Sequence, residues 1–82
     1  MSESAAAVTE VASGEVVLVV NGIERRIPAG WTLADYLASL KLDARTVVIE
    51  RNGDILRDRS SFASLELLPD DVLEIVHFVG GG

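Results

Sequence analysis

Cysteine is absent from this 82-residue sequence, which excludes disulfide staples, thiolate metal sites and a cysteine nucleophile, and fits a reducing compartment. Histidine occurs once, at His77. One histidine with scattered serines such as Ser60 and Ser64 gives no readable triad, so His77 reads as a surface residue on a strand. Bases are scarce: seven Lys and Arg stand against thirteen Asp and Glu, a net charge of -6, and no basic run exceeds Arg25 and Arg26. That balance opposes the phosphate neutralisation on which nucleic-acid binding depends. Long apolar runs are missing too. The longest, Val16 to Val20, falls far short of the ~18 residues that would span a bilayer. The first fourteen residues lack the basic start and apolar middle of a secretion signal, and Glu3 and Glu10 oppose a mitochondrial presequence. The expectation is a cytoplasmic protein that engages neither nucleic acid nor membrane. No glycine-rich phosphate loop with its lysine is present either. If ATP is used, a partner brings it.

What is present is enough to fold. Hydrophobic residues make up 49% of the chain, matching ordinary globular composition, and the length suits one small domain without a deep enclosed active site. Residues 1–14 are small, acidic and aperiodic and read as a disordered extension. Val16 to Val20 is a β-branched run too short for a helix, and it predicts a buried strand. Asn21 and Gly22 supply the two positive-φ positions of a type I′ turn, after which Ile23 to Ile27 can return antiparallel until Pro28 and Gly30 stop it. Thr32 is a good N-cap with Asp35 three residues on, and Leu33, Leu37 and Leu40 recur at helical spacing. Trp31, just before this helix, reads as a packing residue.

Thr46 to Glu50 predicts a third strand, and Asn52 with Gly53 repeats the hairpin signal before a short return through Ile55 and Leu56. Residues 58–71 read as a connection with room for one helical turn, ending in a turn at Asp70 and Asp71. Val72 to Val79 is the last strand, apolar on both faces except for Glu74 and His77, as expected of an inner strand covered on one side and partly on the other. Strand, strand, helix, strand, short strand, strand has a compact solution: one helix across a mixed four- or five-stranded sheet, with the first and last strands adjacent. This α+β arrangement is a β-grasp, the ubiquitin-like fold. It is expected over residues 15–79, with residues 80–82 as a flexible glycine tail.

Candidate functional residues gather at the C-terminal end. Asp70 and Asp71, with Glu66 and Glu74 nearby, read as a solvated acidic face. No EF-hand spacing supports a metal there, and docking to a basic partner surface is the better use of such a face. Phe78, Val79 and Ile75 are the apolar docking candidates, joined by Glu74 and Asp71. The sequence closes with Gly80, Gly81 and Gly82 directly after an apolar strand. A glycine run can extend by roughly 3.3–3.6 Å per residue and thread a narrow site that would clash with any Cβ. Its carboxylate, ionised at neutral pH, can attack the α-phosphate of ATP. The resulting acyl adenylate is open to sulfur, giving a thiocarboxylate, or to an amine, giving an amide.

Residues 15–82 resemble the ThiS family, the small sulfur carriers of thiamine biosynthesis. The likeness rests on Val20, Asn21 and Gly22; on Thr32, Leu33, Leu37 and Leu40; on Val48, Glu50, Arg51, Asn52 and Gly53; and above all on Asp71 to Val79 followed by three glycines. Asp70 departs from the pattern, standing where the family often has glycine. The resemblance implies that an E1-like, ThiF-type adenylyltransferase adenylates Gly82, while Gly80 and Gly81 thread its active site. A donor such as a cysteine desulfurase then supplies sulfur, and the thiocarboxylate passes it to a ThiG-type thiazole synthase. On this reading the chain binds no cofactor or metal and has no catalytic residue; ATP and the sulfur donor act through the partner enzymes. Two alternatives keep the fold: a carrier or modifier in another pathway, such as the small subunit of molybdopterin synthase or a ubiquitin-like protein modifier, and a binding module that makes no use of its tail.

Overall fold

The first two strands form a tight hairpin because Asn21 and Gly22 accept positive φ angles of 51° and 80°, the backbone a two-residue type I′ connection requires. In the computed structural model, which describes residues 14–78, β1 is Glu15–Val20 and β2 is Ile23–Pro28. They pair antiparallel from Glu15↔Pro28 to Val20↔Ile23. Backbone bonding starts one residue earlier, where the Ala29 N–H donates to the Gly14 carbonyl at 2.7 Å.

Helix α1, Leu33–Ser39, is set by a capping box. The Asp35 N–H donates to Thr32 Oγ1 at 3.2 Å, and the Thr32 N–H donates to Asp35 Oδ2 at 2.9 Å. These reciprocal bonds satisfy two of the donors that a helix start leaves open. Leu33, Tyr36 and Leu37 turn inward. Leu40, expected on the same apolar stripe, is instead the C-cap and 45% exposed, because the chain leaves the helix there before another turn could carry it to the core. Trp31 packs against the core from its edge, as its position before the helix suggested.

A short 3-10 turn, Ala44–Thr46, leads into β3, Val47–Arg51, and a second Asn-Gly turn leads into the two-residue β4, Asp54–Ile55. The connection beyond contains a 3-10 helix, Arg59–Ser64, capped by the Asp58 side chain. Strand β5, Val72–His77, completes a five-stranded sheet in the order β2-β1-β5-β3-β4. β5 runs parallel to β1 and antiparallel to β3. The first and last strands are therefore neighbours; the α1 crossover joins β2 to β3, and β5 fills the place between β1 and β3.

The core lies between α1 and one face of the sheet. Leu18, Leu33, Leu37, Ile49, Leu67 and Leu73 are essentially inaccessible to solvent, each contributing about 2 kcal/mol of burial free energy. Among the described residues nothing covers the opposite face, which corrects two expectations. In β1 only Val16, Leu18 and Val20 are buried, while the residues between them are half-buried. In β5 only Leu73 is buried outright, and Val72, Glu74 and Val76 face solvent. One layer of helix covers one face, so the second apolar face of both strands has no cover from the described residues.

Candidate functional site

Strand β5 carries most of the candidate residues, and period-two alternation divides them between two faces. Register with β3 pairs Val48↔Val76 and Glu50↔Glu74 on the open side, and Ile49↔Ile75 and Val47↔His77 on the helix side. Val76 and Phe78 are 58% and 54% exposed. Together with Val72 they form an apolar strip on the open face, a grouping that needed the register to be seen. Glu74 lies in that strip, directly opposite Glu50. Ile75 does not belong to it: it points to the helix side and packs against the core. His77 is on the surface, as its lone occurrence suggested. Val79, Gly80, Gly81 and Gly82 lie outside the described residues.

Asp71 is the main correction to the acidic docking face. It is only 5% exposed, and both of its carboxylate oxygens are engaged. Arg51 Nε donates to Oδ2 at 3.0 Å and Asn52 Nδ2 to Oδ1 at 3.1 Å, while the Leu68 N–H donates to Oδ2 at 2.9 Å. The Arg51 guanidinium also forms an ion pair with it at 2.9 Å. Burial by itself would raise the Asp71 pKa, but the Leu68 amide, the Asn52 and Arg51 hydrogen bonds and the Arg51 charge outweigh it and hold the carboxyl below its ordinary range. Asp71 therefore fastens the turn that starts β5 and is not presented to a partner. Its neighbour Asp70 stays exposed and takes φ of 69°. This is left-handed backbone that glycine enters freely and aspartate tolerates, so the departure from glycine at this position keeps the turn.

The two Asn-Gly turns hold β5 from opposite sides. From the β3 side, Asn52 accepts the Val72 N–H on Oδ1 at 2.8 Å, and its own N–H donates to the Val72 carbonyl at 2.8 Å. From the β1 side, Asn21 accepts the Ile75 N–H on Oδ1 at 2.7 Å and donates through Nδ2 to the Ile75 carbonyl at 3.2 Å. The last strand is thus fixed by side-chain amides where its neighbours end. These roles of Asn21 and Asn52 were not evident from turn propensity. A conspicuous repeat of Asn-Gly after two β-branched runs was the available signal.

Among the described residues, no group of three or more His, Cys, Asp or Glu is arranged to hold a metal ion. Nor is any of their helices long and apolar enough to cross a membrane.

Comparison with known proteins agrees with this geometry. The ThiS family model matches residues 9–82. The chain is 47% identical over 51 residues to the sulfur carrier protein ThiS of Bacillus subtilis, covering 62% of this chain and 76% of that one. It is also 45% identical over 65 residues to a thiazole synthase of Paramagnetospirillum magneticum, covering 79% of this chain but only 20% of that much longer protein. Among solved structures, the crystal structure of the thiamine biosynthesis protein ThiS from Geobacter metallireducens superimposes with a TM-score of 0.63 at 31% identity, over 82% of this chain and all of that one. Its solution structure gives 0.65 at 30% identity, over 82% and 88%. A match over nearly the whole sequence, carried on the β-grasp order and the held last strand, places this chain in the ThiS family.

Proposed function

We propose that this chain is the sulfur carrier of thiamine biosynthesis and that the carboxylate of Gly82 is the group that carries the sulfur. The observation that carries this reading is the family match running through the final glycines. The protein acts as a carrier and co-substrate rather than as an enzyme. The chemistry asks little of the fold beyond presentation. The Gly82 carboxylate attacks the α-phosphate of ATP, pyrophosphate leaves, and an acyl adenylate forms. Sulfide-level sulfur attacks the carbonyl, AMP leaves, and a thiocarboxylate remains; where the donor is an enzyme persulfide, the acyl disulfide formed is cleaved by a thiol, which releases the thiocarboxylate and leaves a disulfide on the donor. Glycine suits both steps, because no Cβ hinders the carbonyl or the narrow site the tail must enter.

The partners follow from this chemistry. A ThiG-type thiazole synthase is supported by two thiazole synthases, from Paramagnetospirillum magneticum and Magnetococcus marinus, that each resemble this chain over about a fifth of their length. A ThiF-type adenylyltransferase would bring ATP, and a donor such as a cysteine desulfurase the sulfur, in the cytoplasm. The apolar strip of Val72, Val76 and Phe78, with Glu74 among them, is the docking face we assign to the enzymes. Its chemistry is that of an interface centre, with exposed apolar side chains beside a charge that a basic partner residue can meet.

The test is the intact mass after incubation with ATP, a sulfur donor and the adenylyltransferase. The expected product has one oxygen replaced by sulfur. An unchanged mass for Gly82 in the presence of active enzyme removes the proposal. Deleting Gly82 is expected to abolish the conversion while leaving the melting temperature unaltered.

A further inference from the structure

Strand β5 outruns its neighbour on one side. β1 pairs with it only at Val19↔Val72 and Val20↔Leu73 before turning away at Asn21. On this side the odd-numbered residues of β5 present their polar groups. The Val19 N–H donates to the Asp71 carbonyl and the Asn21 N–H to the Leu73 carbonyl, both at 2.9 Å. At Ile75 the Asn21 side chain replaces the missing strand, taking both the N–H and the carbonyl. The even-numbered residues face β3, as the Phe78 N–H donating to the Thr46 carbonyl at 2.8 Å shows. The next odd residue is His77. Its N–H and carbonyl project past Asn21 where no strand of the described residues pairs with them. The sheet thus has a short interior edge at the base of the tail, and such an edge is a template for an added strand.

A groove runs beside that edge on the helix side. It has a volume of about 410 Å³ and is lined chiefly by Ile23, Arg25, Tyr36, Leu40, Ile75 and His77, within the ~300–1,000 Å³ typical of binding pockets. Ile23 is 54% exposed, and Leu40 is the helix C-cap side chain left out of the core. No carboxylate of the described residues lines the groove, although the chain carries a net charge of -6. The Arg25 guanidinium has no ion-paired or hydrogen-bonded partner among the described residues. An apolar floor, one unneutralised guanidinium and a free backbone edge complement an extended peptide carrying an acidic side chain between apolar ones.

We infer that an extended acidic and apolar segment of the enzyme that receives the tail adds as a strand along the His77 edge of β5, seating its side chains in the groove beside Arg25. This rests on the carrier reading, since His77 precedes the glycines by only a few residues and whatever takes the tail must pass this edge. The surface is separate from the Val72, Val76 and Phe78 strip, which lies on the opposite face of the sheet. An enzyme using both would grip β5 from two faces and fix the direction in which the tail leaves.

The test measures the affinity of the full chain for the adenylyltransferase and the thiazole synthase by calorimetry, with KM and kcat for adenylation. Arg25→Glu is expected to weaken binding to at least one of the two enzymes by about tenfold, raising KM and leaving kcat unchanged. His77→Pro removes the edge N–H without costing β3 a ladder bond and is expected to weaken the same complex by about fivefold. His77→Ala keeps that N–H and is expected to weaken the complex less than His77→Pro does. Melting temperatures and the amide spectrum of residues 47–51 confirm that each variant is folded. If Arg25→Glu and His77→Pro both bind both enzymes as the wild type does, the inference falls while the carrier reading stands. If wild type binds neither enzyme, the carrier reading fails and the edge is judged with a synthetic probe, acetyl-Thr-Val-Glu-Val-Thr-amide, added to the labelled chain. Shifts at Ile23, Arg25 and His77 that vanish in Arg25→Glu then support it, and an unperturbed spectrum overturns it.

Discussion

The same two residues, Asn and Gly, close both hairpins, yet the two turns do different work. At Asn52 the turn meets a buried charge. Its side chain donates to Asp71 and accepts from Val72, and Arg51 completes the cluster. At Asn21 the turn meets solvent. Its side chain bonds only the Ile75 backbone, and beyond that point no strand of the described residues pairs with β5 on that side. The first turn fastens the start of the last strand; the second finishes a ladder and leaves β5 without a pairing strand of the described residues at His77. Local sequence sets the turn geometry in both cases, and the neighbouring strand decides whether the amide anchors or merely terminates.

The sharpest way to break this distinction is at Asp71. Asp71→Asn turns one donor-facing oxygen into an amide that meets donors from Arg51, Asn52 and Leu68. The expected loss is about 3 kcal/mol in denaturant unfolding. Because the native pKa of Asp71 lies below the ordinary 3.8, its contribution is complete above that value and disappears as pH falls through the lowered pKa. The stability gap between wild type and Asp71→Asn is therefore expected to hold at pH 7 and to narrow below pH 3.8. A gap independent of pH would mean that the carboxylate charge is not what fastens the turn.

Glycine at either turn position keeps the positive φ and removes only the amide, so it isolates the clamps. Asn52→Gly is expected to cost about 2 kcal/mol, since it leaves a buried carboxylate oxygen short of a donor. Asn21→Gly is expected to cost about 1 kcal/mol or less, with faster hydrogen exchange at the Ile75 amide as its signature. Equal losses at the two positions would erase the difference between them. Double variants sharpen it further. Asn52→Gly and Asp71→Asn share a hydrogen bond and should be non-additive, whereas Asn21→Gly shares no partner with Asp71 and should add to it.

Much of this fold is legible in the residues because local rules and global packing agree. The β-branched runs, the two Asn-Gly turns and the Thr32 cap with Asp35 each specify their element, and together they leave few topologies. The misreadings have one physical origin: strand alternation tells which residues share a face but not which face is covered. Ile75 in the last strand and Phe78 just after it are both apolar, and nothing local says that the first packs on the core while the second faces water. Asp71 looked like a solvated acid for the same reason. Its partner Arg51 is twenty residues away in sequence, and only the adjacency of β5 and β3 brings the two charges together.

By itself the sequence determined the β-grasp order and the resemblance that points to sulfur carriage, since turn chemistry and hydrophobic period are local properties. Tertiary structure alone decided that Val72, Val76 and Phe78 form one exposed strip, that Asp71 is buried and that no strand of the described residues pairs with β5 on the β1 side at His77. Each of these depends on which strand lies beside β5 and where that neighbour stops, and strand pairing between distant segments is set by the packing of the whole sheet against α1.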